Sequence, residues 1–195
     1  IKEITFLPEN KTGDIFIIGN SNEKRDISHL VTERDIIVRF NTPNPSCSLV
    51  ADVLFVANNP KLIVHLTKIN NGLLAKECLI LWRHTVSELL LSHSDNISFS
   101  RKLRYPFYFP IFRWKNRLHS YKQQYLPASI SQKCLEITKK EPSTGFIAAY
   151  LYSKLFPSRK VYLHNFTFEG WDGHNWTLEA GFLNEKVDNN ELIIL

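Results

Sequence analysis

Residues 141–179 read EPSTGFIAAYLYSKLFPSRKVYLHNFTFEGWDGHNWTLE, and the order of turn, helix, strand and loop within them decides the fold. Pro142, Ser143, Thr144 and Gly145 form a helix entrance: a fixed φ, two hydroxyls able to cap, and a glycine that allows close approach to the backbone. From Phe146 to Phe156 the apolar residues recur as in a helix packed on a sheet, and Pro157-Ser158 end it. Lys160-Val-Tyr-Leu-His164 is then a buried strand, which delivers Asn165 and a polar loop at its carboxyl end. A helix amino terminus offers unpaired N–H groups and a positive dipole end, so it favours anions. Ligands of open α/β sheets sit beyond the carboxyl ends of the strands.

Working outward, Asp14-Ile-Phe-Ile-Ile18 is an unbroken apolar run, as expected of a central parallel strand covered on both faces. It stops at Gly19-Asn-Ser-Asn22, a turn placed where doubly wound folds hold phosphates. This turn is neither a dinucleotide fingerprint nor a Walker loop, because the spaced glycines and the Gly-Lys-Ser/Thr are missing. Further strands are expected over 4–7, 35–41, 51–56, 77–82 and 191–195, with helices over 60–67 and 132–139. Strands alternating with helices predict a Rossmann-like α/β fold with a mainly parallel sheet, in one domain over residues 1–195.

The 195 residues, 44% of them apolar, suffice for one sizeable core. No run of about eighteen apolar residues occurs, and the first residues lack a signal peptide's layout. Cys47, Cys78 and Cys134 have no zinc or redox spacing and read as reduced thiols, so a cytoplasmic setting is expected.

The net charge of +5 is unevenly placed. Between Asn96 and Leu135 there is no acidic residue, while Arg101, Lys102, Arg104, Arg113, Lys115, Arg117, Lys122 and Lys133 are basic. The stretch from about 96 to 130 interleaves these cations with aromatics around Pro106 and Pro110. It reads as an insert without helical or strand period. Such a stretch suits a phosphorylated acceptor, an anionic membrane surface or nucleic acid. Nucleic acid fits least, because neither aromatics on a sheet face nor a basic helix is visible.

Three sets of residues resemble motifs of the sialyltransferases of glycosyltransferase family 29. Ile15-Phe-Ile-Ile-Gly-Asn-Ser21 with Ile37-Val-Arg-Phe-Asn41 resembles the large motif. Pro142-Ser-Thr-Gly145 with the Val-Tyr-Leu strand resembles the small motif, and His174-Asn-Trp-Thr-Leu-Glu179 the very short one. The resemblance implies a sialyltransferase-like variant of the GT-A architecture. It also implies inverting, metal-independent transfer of a CMP-activated acidic sugar, with no further cofactor.

Carried over residue by residue, the resemblance makes Gly19, Asn20, Ser21, Asn41, Ser143, Thr144, Gly145 and Asn165 donor-binding, and His174 and Glu179 catalytic. Trp176 joins the donor side, although packing is the commoner use of such a tryptophan. Asn165 stands where the family usually carries glycine. Position between the motifs makes the basic insert an acceptor site or lid, with Arg113, Lys115 and Arg117 as its contacts.

A histidine suits removal of the acceptor proton, because its ordinary pKa is near neutrality. His174 resembles either the family's base or its phosphate-contacting histidine, and in the second case His84 or Asp172 would have to be the base. No Asp-x-Asp pair of the kind used by metal-dependent sugar transferases occurs. The expected function is therefore a bacterial glycosyltransferase using CMP-sialic acid or CMP-Kdo. Its acceptor would be a glycan or lipid-linked lipopolysaccharide intermediate at the inner membrane. A nucleotide-binding module or degenerate transferase without chemistry is the rival.

Overall fold

The computed structural model describes residues 6–22, 25–65, 67–91 and 98–195. Seven strands form one sheet: β1 (Ile15–Ile18), β2 (Ile36–Phe40), β3 (Ala51–Val56), β4 (Leu74–Trp82), β5 (Lys122–Tyr125), β6 (Val161–His164) and β7 (Ile193–Ile194). Their order is β5-β4-β3-β2-β1-β6-β7, and every pair is parallel. The sequence expectation of a parallel Rossmann-like α/β sheet holds. Strands β1, β2 and β3 are buried at every position, because both faces are covered. Lys-Gln-Gln-Tyr in β5 is partly or fully exposed, as suits an edge.

The helices are α1 (Pro60–Val64), α2 (Val86–Leu91), α3 (Phe99–Lys115), α4 (Ala128–Thr138), α5 (Thr144–Leu155) and α6 (Trp176–Asp188). One face of the sheet carries Ile15, Ile17, Val38, Phe55 and Leu81. It packs against Cys134 of α4, the apolar side of α5, and Leu183 of α6. The other face carries Leu54, Val56, Ile80 and Trp82 against Ile63 of α1 and Tyr105, Phe109 and Phe112 of α3. Around β1, Phe16, Ile18 and Ile37 are covered by Ile27 and by Leu49 of the loop before β3.

That loop hangs on Arg39, whose buried guanidinium donates to the carbonyls of Cys47, Leu49 and Asn44 at 2.6–3.0 Å. Burial lowers the pKa of this arginine.

Several sequence expectations are corrected. The basic aromatic insert is not aperiodic: Phe99–Lys115 is a 17-residue helix, and residues 122–125 form β5. The helix carries its two prolines, Pro106 and Pro110, on the exposed side, away from the face packed on the sheet. The polar loop expected from Asn165 to Glu179 gives way at Trp176 to α6, which runs to Asp188. The helix expected over 132–139 starts earlier, at Ala128. Of the lead-in strand expected over 4–7, residues 4 and 5 lie outside the described residues, while Phe6 and Leu7 are buried but not in a strand.

The chain leaves β1 toward β2 on one side and returns to β6 on the other. The strand order therefore reverses between β1 and β6, and in open α/β sheets the carboxyl edge at such a switch point is where ligands bind.

Candidate active site

The two turns that flank this switch point are in direct backbone contact. Gly19 N donates to His164 O at 2.8 Å, and a Cβ on Gly19 would collide with the carbonyl of Asn165. Gly19 is thus required by proximity. Gly19→Ala should cost roughly 1–3 kcal/mol as the turns are forced apart, lowering Tm by roughly 2–4 °C per kcal/mol. Thermal unfolding checks this; an unshifted Tm would mean that the two turns move apart freely.

Asn165 adopts a left-handed backbone, φ 59°, at 4% exposure, and its side-chain oxygen is buried with no hydrogen-bond partner. An unpaired buried amide oxygen costs free energy, so it marks a place where a donor group would be taken up. Asn41 also has positive φ, 46°. These two asparagines end β2 and β6 in the conformation that Asn tolerates better than most residues.

The asparagines after β1 and β2 brace the turns. Asn20 Nδ2 donates to Phe40 O at 3.1 Å, and Asn20 Oδ1 accepts from Asn44 N at 3.3 Å. Asn41 Oδ1 accepts from Ala57 N at 2.8 Å. Asn44 Nδ2 reaches back to the carbonyl of Ser21 at 3.1 Å. The large-motif positions therefore share one edge of the sheet, with their amide oxygens already bonded to the protein.

Helix α5 leads into the amino end of β6, so its own amino terminus lies at the carboxyl edge. Ser143 is its N-cap, with Oγ accepting from Phe146 N at 3.1 Å. Ser143 also gives its N–H and hydroxyl to the two oxygens of Glu179, at 2.7 and 2.6 Å. The N–H groups of Thr144 and Gly145 have no partner among the described residues. Gly145 does not leave room for a ligand at its Cβ position, because the ring of Phe166 lies 2.7 Å from where that atom would be.

Glu179 is corrected from its expected catalytic place. At 1% exposure, with both oxygens held by Ser143, it clasps the α5 entrance from inside. Burial raises its pKa, opposed by the Ser143 hydrogen bonds and by the charges of His174 and Arg83.

His174 is held differently. Its Nδ1 lies 2.6 Å from the carbonyl of Glu141, and the ring stands edge-on between Trp171 and Trp176, with centroids 4.9 Å away on either side. A carbonyl can only accept, so Nδ1 carries the hydrogen and the neutral ring keeps its lone pair on Nε2. Trp176 is thus a wall of the histidine's slot; its indole N–H is buried without a partner.

The 141–143 turn is also tied to β4. Arg83, directly after that strand and 6% exposed, donates to Glu141 Oε1 at 2.6 Å. Burial lowers the pKa of Arg83, and Glu141 opposes that shift. Sequence reasoning missed Arg83. The available signal was a cation closing an otherwise apolar strand, Cys78–Trp82, which needs a buried partner.

Contacts between turns therefore link Asn41 with Ala57, Asn20 with Phe40, Gly19 with Asn165, Gly145 with Phe166, Ser143 with Glu179 and Glu141 with His174. All of these lie along the carboxyl edge.

Two other expectations fare differently. His84 follows β4, three strand positions from β1, about 14 Å away. Burial first, and then the Arg83 charge, pulls its pKa down to about 3. An imidazole so weakly basic is a poor proton acceptor near neutrality. The shift has a stability consequence. The unfolded chain takes up a proton at 6.5, before the folded chain does. The His84 contribution is therefore full above pH 6.5 and is lost as pH falls toward 3. His84→Phe should flatten that part of the Tm–pH curve; an unaltered curve would contradict the burial of this ring.

Arg113, Lys115 and Arg117 are corrected as acceptor or lid contacts. Helix α3 runs antiparallel to the strands and feeds the amino end of β5, so these residues lie at the opposite edge of the sheet. A surface hollow of about 530 Å³ there is lined by Trp114, Lys115, Arg117, His119 and Ser120.

Among the described residues, no group of three or more His, Cys, Asp or Glu side chains could hold a metal ion, and no helix is long and apolar enough to cross a membrane. The fold and this edge define an α/β protein of Rossmann-like architecture with a topological switch point between β1 and β6. Compared with family models, curated proteins and solved structures, the chain matches none.

Proposed function

We propose that this protein is an inverting, metal-independent glycosyltransferase that moves a CMP-activated acidic sugar, sialic acid or Kdo, onto a hydroxyl of a glycan or lipid-linked acceptor. The observation that carries the reading is the histidine. His174 has its Nδ1–H committed to a backbone carbonyl and its Nε2 left basic, and it is tied to the same turn that opens α5. In the proposed step the acceptor hydroxyl gives its proton to Nε2 while its oxygen attacks the anomeric carbon. The bond from that carbon to the phosphate oxygen breaks, and CMP leaves with the electron pair.

In this reading the N–H groups of Thr144 and Gly145, at the positive end of α5, would take up charge developing on the phosphate. The Asn165 amide oxygen is the acceptor available for a donor group of the nucleotide. Metal independence rests on the missing Asp-x-Asp pair and on this supply of protein donors.

The test is release of CMP from CMP-sialic acid and from CMP-Kdo, with simple glycosides and lipid-linked oligosaccharides as acceptors. Turnover with either donor supports the proposal. A second reading, a nucleotide-binding module without chemistry, is favoured by the amide oxygens of Asn20 and Asn41, which are already bonded to the protein. Saturable CMP binding with no release from any donor would decide for that module.

A further inference from the structure

Helix α3 has two apolar sides. Tyr105, Phe109 and Phe112 are buried against the sheet. On the opposite side Phe99, Leu103, Phe107, Ile111 and Trp114 form a ridge at helical spacing, with Phe99, Phe107 and Trp114 each about three-quarters exposed, at 74–75%. The ridge follows the helix for about 22 Å. Arg104 and Lys115 flank it on one side and Arg113 on the other; among the described residues, none of these three cations is in an ion pair. The helix contains no acidic residue.

So many large apolar side chains aligned in solvent mark a surface that is covered in use. We propose that the outer face of α3 is a docking surface for an anionic lipid bilayer. The rings and aliphatic chains would enter the headgroup–acyl boundary, and the cations would meet lipid phosphates.

Charge and shape select this occupant. Pairing the ridge with that of a second copy would bring unpaired cations together with no carboxylate on either helix. Single-stranded nucleic acid stacks its bases on aromatics within a basic groove, whereas this ridge is convex and its rings stand one turn apart. A deformable apolar medium bounded by negative charge fits both features. The amino end of α3 lies toward the carboxyl edge, because Tyr105 Oη accepts from Asn58 Nδ2 at 2.9 Å just beyond β3. A docked protein would therefore hold its carboxyl edge at the side, facing along the membrane surface. The inference does not depend on the proposed reaction.

Vesicle flotation at low ionic strength tests it, using phosphatidylcholine vesicles with and without about one-third phosphatidylglycerol. The intact chain should float with the anionic vesicles at least about tenfold more strongly than with the neutral ones, and salt should weaken the binding. Phe107→Ser with Trp114→Ser should lower binding at least about tenfold. Arg104→Ser with Lys115→Ser should lower it roughly fivefold per cation removed and reduce its dependence on salt. All four positions are exposed, so both variants should melt with the wild type; if the apolar pair fails to fold, the charge pair and the salt titration still decide. Absence of binding to anionic vesicles, or equal binding to both kinds, would overturn the proposal. So would a wild-type dimer, dissociated by the apolar pair, that ignores vesicles, because it would assign the ridge to a second copy.

Discussion

His174→Gln should lower kcat for CMP-sugar transfer by roughly 10²–10⁴-fold while leaving CMP affinity within about twofold of wild type. Glutamine can donate an amide hydrogen to the Glu141 carbonyl, as Nδ1 does at 2.6 Å, and can fill much of the slot between Trp171 and Trp176. It cannot take a proton. The variant therefore separates the two roles that the sequence leaves open for this residue. A base contributes in the transition state, so its loss appears in kcat. A phosphate contact contributes to donor binding, so its loss would appear as weaker CMP affinity. Circular dichroism and CMP titration beside the kinetics complete the comparison. A variant keeping most of wild-type kcat removes His174 from the chemistry.

Glu179→Ala should be the most destabilising single change along this edge. It leaves the Ser143 N–H and hydroxyl without their acceptors inside the protein, at roughly 1–3 kcal/mol for each unsatisfied group. It also removes a negative charge near the buried Arg83. A loss of about 2–5 kcal/mol is expected, or roughly 5–15 °C in Tm. Activity should fall with it, since Ser143 caps the helix whose first turn lies at the carboxyl edge beside β6.

The pH behaviour has a definite sign. Burial raises the folded-state pKa of Glu179 above its ordinary 4.5. Its contribution is thus fully present below pH 4.5 and is lost as pH rises through the raised value. Wild type should therefore gain stability relative to Glu179→Gln as pH falls from neutrality. Thermal melts of both proteins across that range measure the difference. A relative gain toward high pH would mean that the Ser143 donors and Arg83 outweigh burial.

The parts of the fold that were legible from sequence are those where one strong pattern governs. Ile15–Ile18, Ile36–Phe40 and Ala51–Val56 are apolar because both sheet faces are covered, and their order with the intervening helix signals is enough for a parallel α/β sheet. Ser143 as a cap and α5 beneath it were equally readable.

Helix α3 was not readable, because its inner stripe (Tyr105, Phe109, Phe112) is masked by the outer ridge of Phe107, Ile111 and Trp114. Apolar residues on both sides erase the amphipathic period, and prolines argue against a helix unless their solvent-facing position is known. Helix α6 was hidden for a related reason: its first turn holds Glu179, which reads as a polar loop residue until its buried partner is known.

The same gap explains the site. The motif resemblance picks out Asn20, Ser143 and His174, and the fold sets them along one edge. It could not show that Glu179 turns inward, that Arg83 ties the turn to β4, or that Arg113 and Lys115 end up at the far edge. Those facts depend on pairings 36 and 58 residues apart and on the direction of α3.

The central claim is that a cytidine nucleotide is held across the β1–β6 switch point, between the Gly19 turn and the mouth of α5. Amide chemical-shift mapping of the isotopically labelled protein during titration with CMP tests it most directly. The account predicts saturable shifts concentrated at Gly19, Asn20, Thr144, Gly145 and Asn165, with His174 close to them. Shifts centred instead on the hollow beside Trp114 and Arg117, or no saturable response at all, would contradict it.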